Sequence, residues 1–184
     1  MKLLIVVDMQ KDFIDGSLGT TEARTIVPNV LTKIAAYPPE AIFVTRDTHA
    51  ADYLTSCEGR HLPVVHCVDS TPGHALDPKI AAALAAVAPD HILDKPTFGS
   101  MELAERLRAL AGDEVTEIEL VGLCTGICVL SNAILLKAAL PEAEISVDAA
   151  CCACVTPQSH DTALAAMKLC QIAVEHEGQE PWRN

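Results

Sequence analysis

The chain alternates short, unbroken apolar runs with longer stretches whose apolar positions recur at helical spacing. The runs 3–7 (LLIVV), 41–45 (AIFVT), 91–93, 117–122 (EIELVG) and 144–148 (EISVD) predict five strands. The stretches 23–37, 78–88, 100–111, 126–140 and 157–171 predict helices, the first continuing through Pro28. Strands separated by helices imply right-handed crossovers and hence a mostly parallel sheet. Continuously apolar strands fit a sheet covered on both faces. The expected fold is therefore α/β, a single three-layer α/β/α domain spanning 1–184. No repeat, low-complexity tract or linker divides it. One long connection, from Arg46 to about Asp77, is rich in His, Pro, Gly, Thr and Asp.

In such a sheet, ligands bind beyond the carboxyl ends of the strands. Asp8 follows the first strand, and Asp47 and His49 follow the second. Asp94 and Lys95 follow the third, and Cys124-Thr125-Gly126-Ile127-Cys128 follows the fourth. Cys128 falls in the first turn of an expected helix. Free N–H groups and partial positive charge there favour a thiolate, the reactive form of the sulfur. The same N–H groups can hold an oxyanion. Lys95 adds a positive charge near the sulfur, and Asp8 can move protons between thiol, leaving group and water. No His ends the first, third or fourth strand, which favours an Asp–Lys arrangement over a His-paired thiol. Taken singly, each residue has a plainer role: a small buried thiol, a turn-forming Asp, a solvated Lys. Their convergence at three strand ends favours a nucleophilic site. Asp47, His49 and His66 offer a donor set suited to Zn, Fe or Mn. Spacing alone does not separate these histidines from His61 and His74, which share the loop and read as exposed.

Composition narrows the partners. Half of the residues are hydrophobic, enough for one core, but aromatics are only 3%, so aliphatic side chains must fill it. The formal net charge of -12 argues against nucleic acid and against an anionic membrane surface. No apolar run approaches the ~20 residues of a membrane span. MKLLIVVDMQ lacks a cleavage site for export, so a cytoplasmic protein is expected. Eight cysteines then read as reduced thiols rather than disulfides. Cys151, Cys152 and Cys154 read as buried soft side chains following a strand. His160 and Asp161 read as cap and surface residues, and Gln10 and Asp12 as turn-shaping ones.

The motifs LLIVVDMQKDFIDG, TRDTHAADY, HCVDSTPG, DKPTFGS, VGLCTGICV and TPQSHDTALAAM occur in an order that resembles the isochorismatase-like cysteine hydrolases. Within them the chain is most similar to the metal-containing nicotinamidases, and the resemblance spans nearly all of it. It implies that Asp8, Lys95 and Cys128 form the catalytic triad. It implies a cis peptide at Leu123–Cys124 and an oxyanion hole built from the N–H groups of Cys124 and Cys128. It implies that Asp47, His49 and His66 bind a divalent transition metal, Zn above Fe or Mn, with Glu58 as an added ligand. Metal-free members lack this Asp-x-His and His-Cys-Val pattern. It also implies a homo-oligomer. Phe13 is a candidate to stack on a planar substrate. The Trp-Pro of nicotinamidases is replaced by Leu62-Pro63, with one extra residue before His66. The resemblance implies nicotinamide or a related small amide as the substrate, held against Phe13 and Leu62. A non-aromatic amide, ureide or carbamoyl compound is the alternative, and a non-catalytic ligand- or metal-binding relative is the third reading.

Overall fold

The computed structural model describes residues 1–111 and 115–183. The first apolar run becomes β1 (Lys2–Val7), and its side chains divide between two cores. Leu3, Ile5 and Val7 face one side of the sheet, Leu4 and Val6 the other, all fully buried. This is the two-faced burial that an unbroken apolar strand demands. After a short helix α1 (Lys11–Ile14) comes α2 (Thr21–Ala35), capped by the Thr20 hydroxyl, which accepts from Ala23 N–H. Strand β2 (Ile42–Asp47) leads into the long connection, which holds a short helix α3 (Cys57–His61). Then follow α4 (Pro78–Ala83), β3 (Ile92–Lys95), α5 (Met101–Ala111) and β4 (Glu117–Leu123). A wide five-residue turn of π type, Thr125–Val129, opens into α6 (Leu130–Ala139). The chain continues through β5 (Glu144–Ala153), α7 (Pro157–Leu169) and β6 (Ala173–Glu175).

All six strands are parallel, in the order β3-β2-β1-β4-β5-β6. One face carries α2 and α4, through Ile26, Val30, Ile34 and Ile80. The other carries α5, α6 and α7, through Leu103, Leu107, Ala133, Leu164 and Met167. The three-layer single domain expected from the pattern is therefore present. The chain reverses its direction of travel across the sheet between β1 and β4, which sets the ligand crevice beside their carboxyl ends. Gly122 belongs to that junction: its φ is 119°, and a Cβ there would sit 2.1 Å from Val7 O. Only glycine lets β4 run this close to the end of β1.

Four details differ from the pattern. β5 runs to Ala153 instead of stopping at Asp148, so Cys151 and Cys152 lie within a strand rather than after one. The charge of Asp148 does not break the strand because Lys33 pairs with it at 2.7 Å and Ala150 N–H bonds it at 3.0 Å. β6 is three residues long, too short for a periodic signature. The helix expected over 78–88 ends at Ala83. The helix expected to begin at Gly126 begins as the wide turn, and regular helix starts only at Leu130.

Candidate active site

Asp8, the first residue beyond β1, has a φ of 50° and is fully buried. Its N–H bonds Thr45 O at 3.1 Å, and its Oδ1 accepts from the Thr45 hydroxyl at 2.7 Å. Lys95 ends β3 and is 1% exposed. Its Nζ lies 2.6 Å from Asp8 Oδ2, 3.3 Å from Asp47 Oδ1 and 3.5 Å from Cys128 Sγ, and bonds Thr97 O at 3.1 Å. Cys128, also buried, sits in the wide turn after β4. The three residues singled out in sequence thus meet around one ammonium group. Asp94, the other group expected there, turns outward and pairs with Arg46 at 2.7 Å. Strand alternation explains this: neighbours on a strand point to opposite sides.

The charges set the resting protonation. Burial drives the Asp8 pKa up, with nearby Asp47 adding to the rise and Lys95 opposing it. Burial likewise pushes the Cys128 thiol well above its ordinary value, reinforced by Asp8 and opposed by Lys95. Lys95 already balances Asp8, so a thiolate would add negative charge in a closed site beside two carboxylates. Burial and the two carboxylates thus work against the thiolate, and Lys95 works for it. The neighbouring Cys124 thiol is held protonated, pushed by burial up to about 12.

A second cluster adjoins the first. Ligand atoms of Asp47, His49, Glu58 and His66 all lie within 4.8 Å of one another. His49 Nε2 is 2.9 Å from Asp47 Oδ2, and His66 Nε2 is 3.4 Å from it. Glu58 Oε1 is 3.7 and 3.8 Å from the same two nitrogens. His66 Nδ1 pairs with Val64 O at 2.7 Å, which turns Nε2 inward. His49 Nε2 is buried and, though charge-paired with Asp47 at 2.9 Å, meets no described residue in good hydrogen-bond geometry. A buried nitrogen aimed at carboxylates suits a cation ligand, and two imidazoles with two carboxylates form a donor set apt for zinc. The site therefore fits a divalent transition metal. Burial works to raise the Asp47 pKa, but the imidazoles of His49 and His66, with Lys95, hold it below the carboxylate range.

Both clusters open on a cavity of about 220 Å³. This is smaller than the ~300–1,000 Å³ of drug-sized pockets and suits a small molecule. Phe13, Leu62, Phe98, Leu123, Ile127 and Val155 make its walls apolar, while Asp47, Glu58, His66 and Cys128 face into it. Phe13 is nearly buried, with its ring 5.5 Å from that of His66. Leu62 stands at the mouth, 38% exposed, and Phe98 is 45% exposed.

Several contributors escaped the sequence. Gln10 is fully buried, and its side chain bonds both Asp47 N–H and Asp47 O, at 2.7 and 2.8 Å, and His74 O at 2.8 Å. It clamps the backbone of a candidate ligand. Asp12 Oδ2 accepts from Cys67 N–H at 2.8 Å, anchoring the residue after His66. Phe98, three residues past Lys95, could have been found by its position beyond a strand end. Cys154 forms part of the cavity wall. His74, expected on the surface, is buried, with Nε2 2.9 Å from the Thr48 hydroxyl. His160 is likewise fully buried rather than a surface cap. The peptide Leu123–Cys124 is cis, as the resemblance implied.

Residues 2–177 match the Isochorismatase domain family, and the chain belongs to that family of hydrolases. Among solved structures, it is similar to the pyrazinamidase of Pyrococcus horikoshii in complex with zinc, at 29% identity and a TM-score of 0.73. That likeness covers 94% of this chain and 97% of the other. The nicotinamidase PncA from Bacillus subtilis shares the fold at a TM-score of 0.79 and 24% identity, over 95% and 99% of the chains. The yeast nicotinamidase Pnc1p does so at 0.76 and 22%, over 96% and 100%. Among curated protein sequences, none matches the chain.

Proposed function

We propose that the chain is a metal-dependent amidohydrolase that cleaves nicotinamide or a related small amide to the acid and ammonia. The observation that carries this reading is Lys95 Nζ, set 2.6 Å from the Asp8 carboxylate and 3.5 Å from the sulfur of Cys128, which lines a small apolar cavity. Cys128 attacks the amide carbonyl as its proton passes to Asp8. The carbonyl oxygen becomes an oxyanion held by the N–H groups of Cys124 and Cys128. Asp8 then gives its proton to the nitrogen, the C–N bond breaks, and ammonia leaves a thioester. Asp8 next takes a proton from water, which attacks the thioester, and the thiol is restored with release of the acid. Lys95 keeps Asp8 ionised at the start of each half-reaction.

Asp47, His49 and His66, with Glu58, would hold the metal, which would supply Lewis-acid coordination to orient a substrate heteroatom. Phe13 and Phe98 flank the cavity and favour a planar ring, which supports the aromatic amide. Leu62, in place of an aromatic wall, favours the second reading, a non-aromatic amide, ureide or carbamoyl compound. The test is ammonia release from a panel of nicotinamide, pyrazinamide and aliphatic amides, with Cys128→Ala as control. No release from aromatic amides at millimolar concentration would overturn the first reading. No release from any member, with Cys128 resistant to iodoacetamide, would favour the non-catalytic relative.

A further inference from the structure

Beyond the groups of the proposed reaction lies a second buried polar chain. Thr125 opens the wide turn that carries Cys128, and its Oγ1 is 2.8 Å from His160 Nδ1. On the far side of the ring, Nε2 is 3.2 Å from Glu180 Oε1. Thr125, His160 and Glu180 are all fully buried. Arg183 pairs with both Glu180 and Asp161, and Trp182 meets the imidazole edge-on at 5.1 Å. Three polar groups in series cost more desolvation than an apolar trio of the same size would.

The local sequence places them. Thr156 and Ser159 cap each other at the start of α7, with Pro157 in its first turn, and this fixes His160 toward the turn after β4. That turn is otherwise held by Cys124 O, which accepts from Ile127 and Val129 N–H at 3.0 and 3.1 Å, on either side of Cys128. Gly126 N–H also reaches Cys154 Sγ at 3.4 Å. Glu180 accepts at Nε2, so that nitrogen carries the proton and Nδ1 accepts from the Thr125 hydroxyl. Burial holds the imidazole below its usual pKa and keeps it neutral, which preserves this direction.

We infer that His160 is a positioning residue: anchored by Glu180, it orients Thr125 and so holds the N–H groups of the Cys124–Cys128 turn against the reacting carbonyl. The inference rests on the hydrolase reading above. His160 itself does not line the cavity, so its effect belongs to the chemical step and not to substrate capture.

Thr125→Val removes the hydroxyl at nearly constant volume, and Thr125→Ser keeps it. Misplaced donors cost rate, so Thr125→Val should lower kcat by about 10- to 100-fold with KM changed less than about twofold. Thr125→Ser should stay near the parent in both. Should Thr125→Val fail to fold, Glu180→Leu is read in the same way, with Glu180→Gln, which keeps an acceptor for Nε2–H, near the parent. Unchanged kcat in the Val or Leu variant, or a loss carried by KM, overturns the inference. If the parent hydrolyses no amide in the panel, the rate of iodoacetamide labelling at Cys128, followed by peptide mass spectrometry, replaces kcat. A changed rate in Thr125→Val but not in Thr125→Ser would uphold the positioning role and count against the amide reading alone. Equal rates in both would overturn the positioning role.

Discussion

Replacing Lys95 with Met tests the electrostatic core of the site. The substitution keeps length and apolar stem but removes an ammonium that is 1% exposed and paired with Asp8 and Asp47 at 2.6 and 3.3 Å. At an effective dielectric of ~20, each pair attracts by ~5–6 kcal/mol before desolvation is counted. Removing one partner of a buried pair costs ~3–5 kcal/mol, because the other charge stays behind. For a domain of this size, ~2–4 °C accompanies each kcal/mol, so the melting temperature should fall by about 6–20 °C. The sign with pH follows from the carboxylates. The Asp8 pKa is already raised in the fold, so its contribution is present at low pH and lost as pH rises through that pKa. Without Lys95 the pKa rises further. Asp47, held low partly by Lys95, also loses support for its ionised form. The penalty should therefore be larger at pH 8 than at pH 5. Melting curves of metal-free protein at both values provide the assay, and Asp8→Asn/Lys95→Met should recover part of the loss. A single variant that melts within about 2 °C of the parent at pH 8 would refute the reasoning.

Three further outcomes are expected. Gln10→Leu strips partners from three buried backbone groups at ~1–3 kcal/mol each, so chemical denaturation should show a loss of several kcal/mol. Because the lost amide clamps Asp47, metal affinity measured by chelator competition should also fall ~10- to 100-fold. His49→Ala should abolish stoichiometric metal by elemental analysis, whereas Glu58→Ala, at the longer distances, should weaken binding without abolishing it. The acid limb of kcat/KM should lie above the ~3.9 of an ordinary Asp, since the base must be ionised and burial raises its pKa; a limb at that ordinary value would argue against Asp8 as the base.

The sequence was most informative where burial is two-sided. Runs such as LLIVV and EIELVG named β1 and β4, and with them the positions of Asp8 and Cys128. It was least informative where a polar residue is neutralised from far away. Asp148 seemed to end β5 because its partner, Lys33, lies 115 residues earlier on α2. Gln10 and His160 looked like turn and surface residues for the same reason: their partners arrive from other elements. The candidate metal ligands were legible as residue types, but only folding separates His49 and His66 from His74, which sits in the same loop yet bonds Thr48. The direction of the Cys128 pKa could not be read either. A helix start favours a thiolate, whereas burial beside Asp8 pushes the thiol pKa up.

The place of β1 between β2 and β4 bears on how the chain is made. The strand that ends at Asp8 pairs on one side with residues 42–45, which follow within a few dozen positions. Its other edge waits for residues 117–122. At ~5–20 residues per second, translation leaves that edge of LLIVV open for about 6–23 s. Through that interval the nascent chain exposes a β-prone apolar segment with unpaired backbone groups. Synthesis speed between β1 and β4, and chaperone supply during it, should therefore govern how much of this protein emerges soluble.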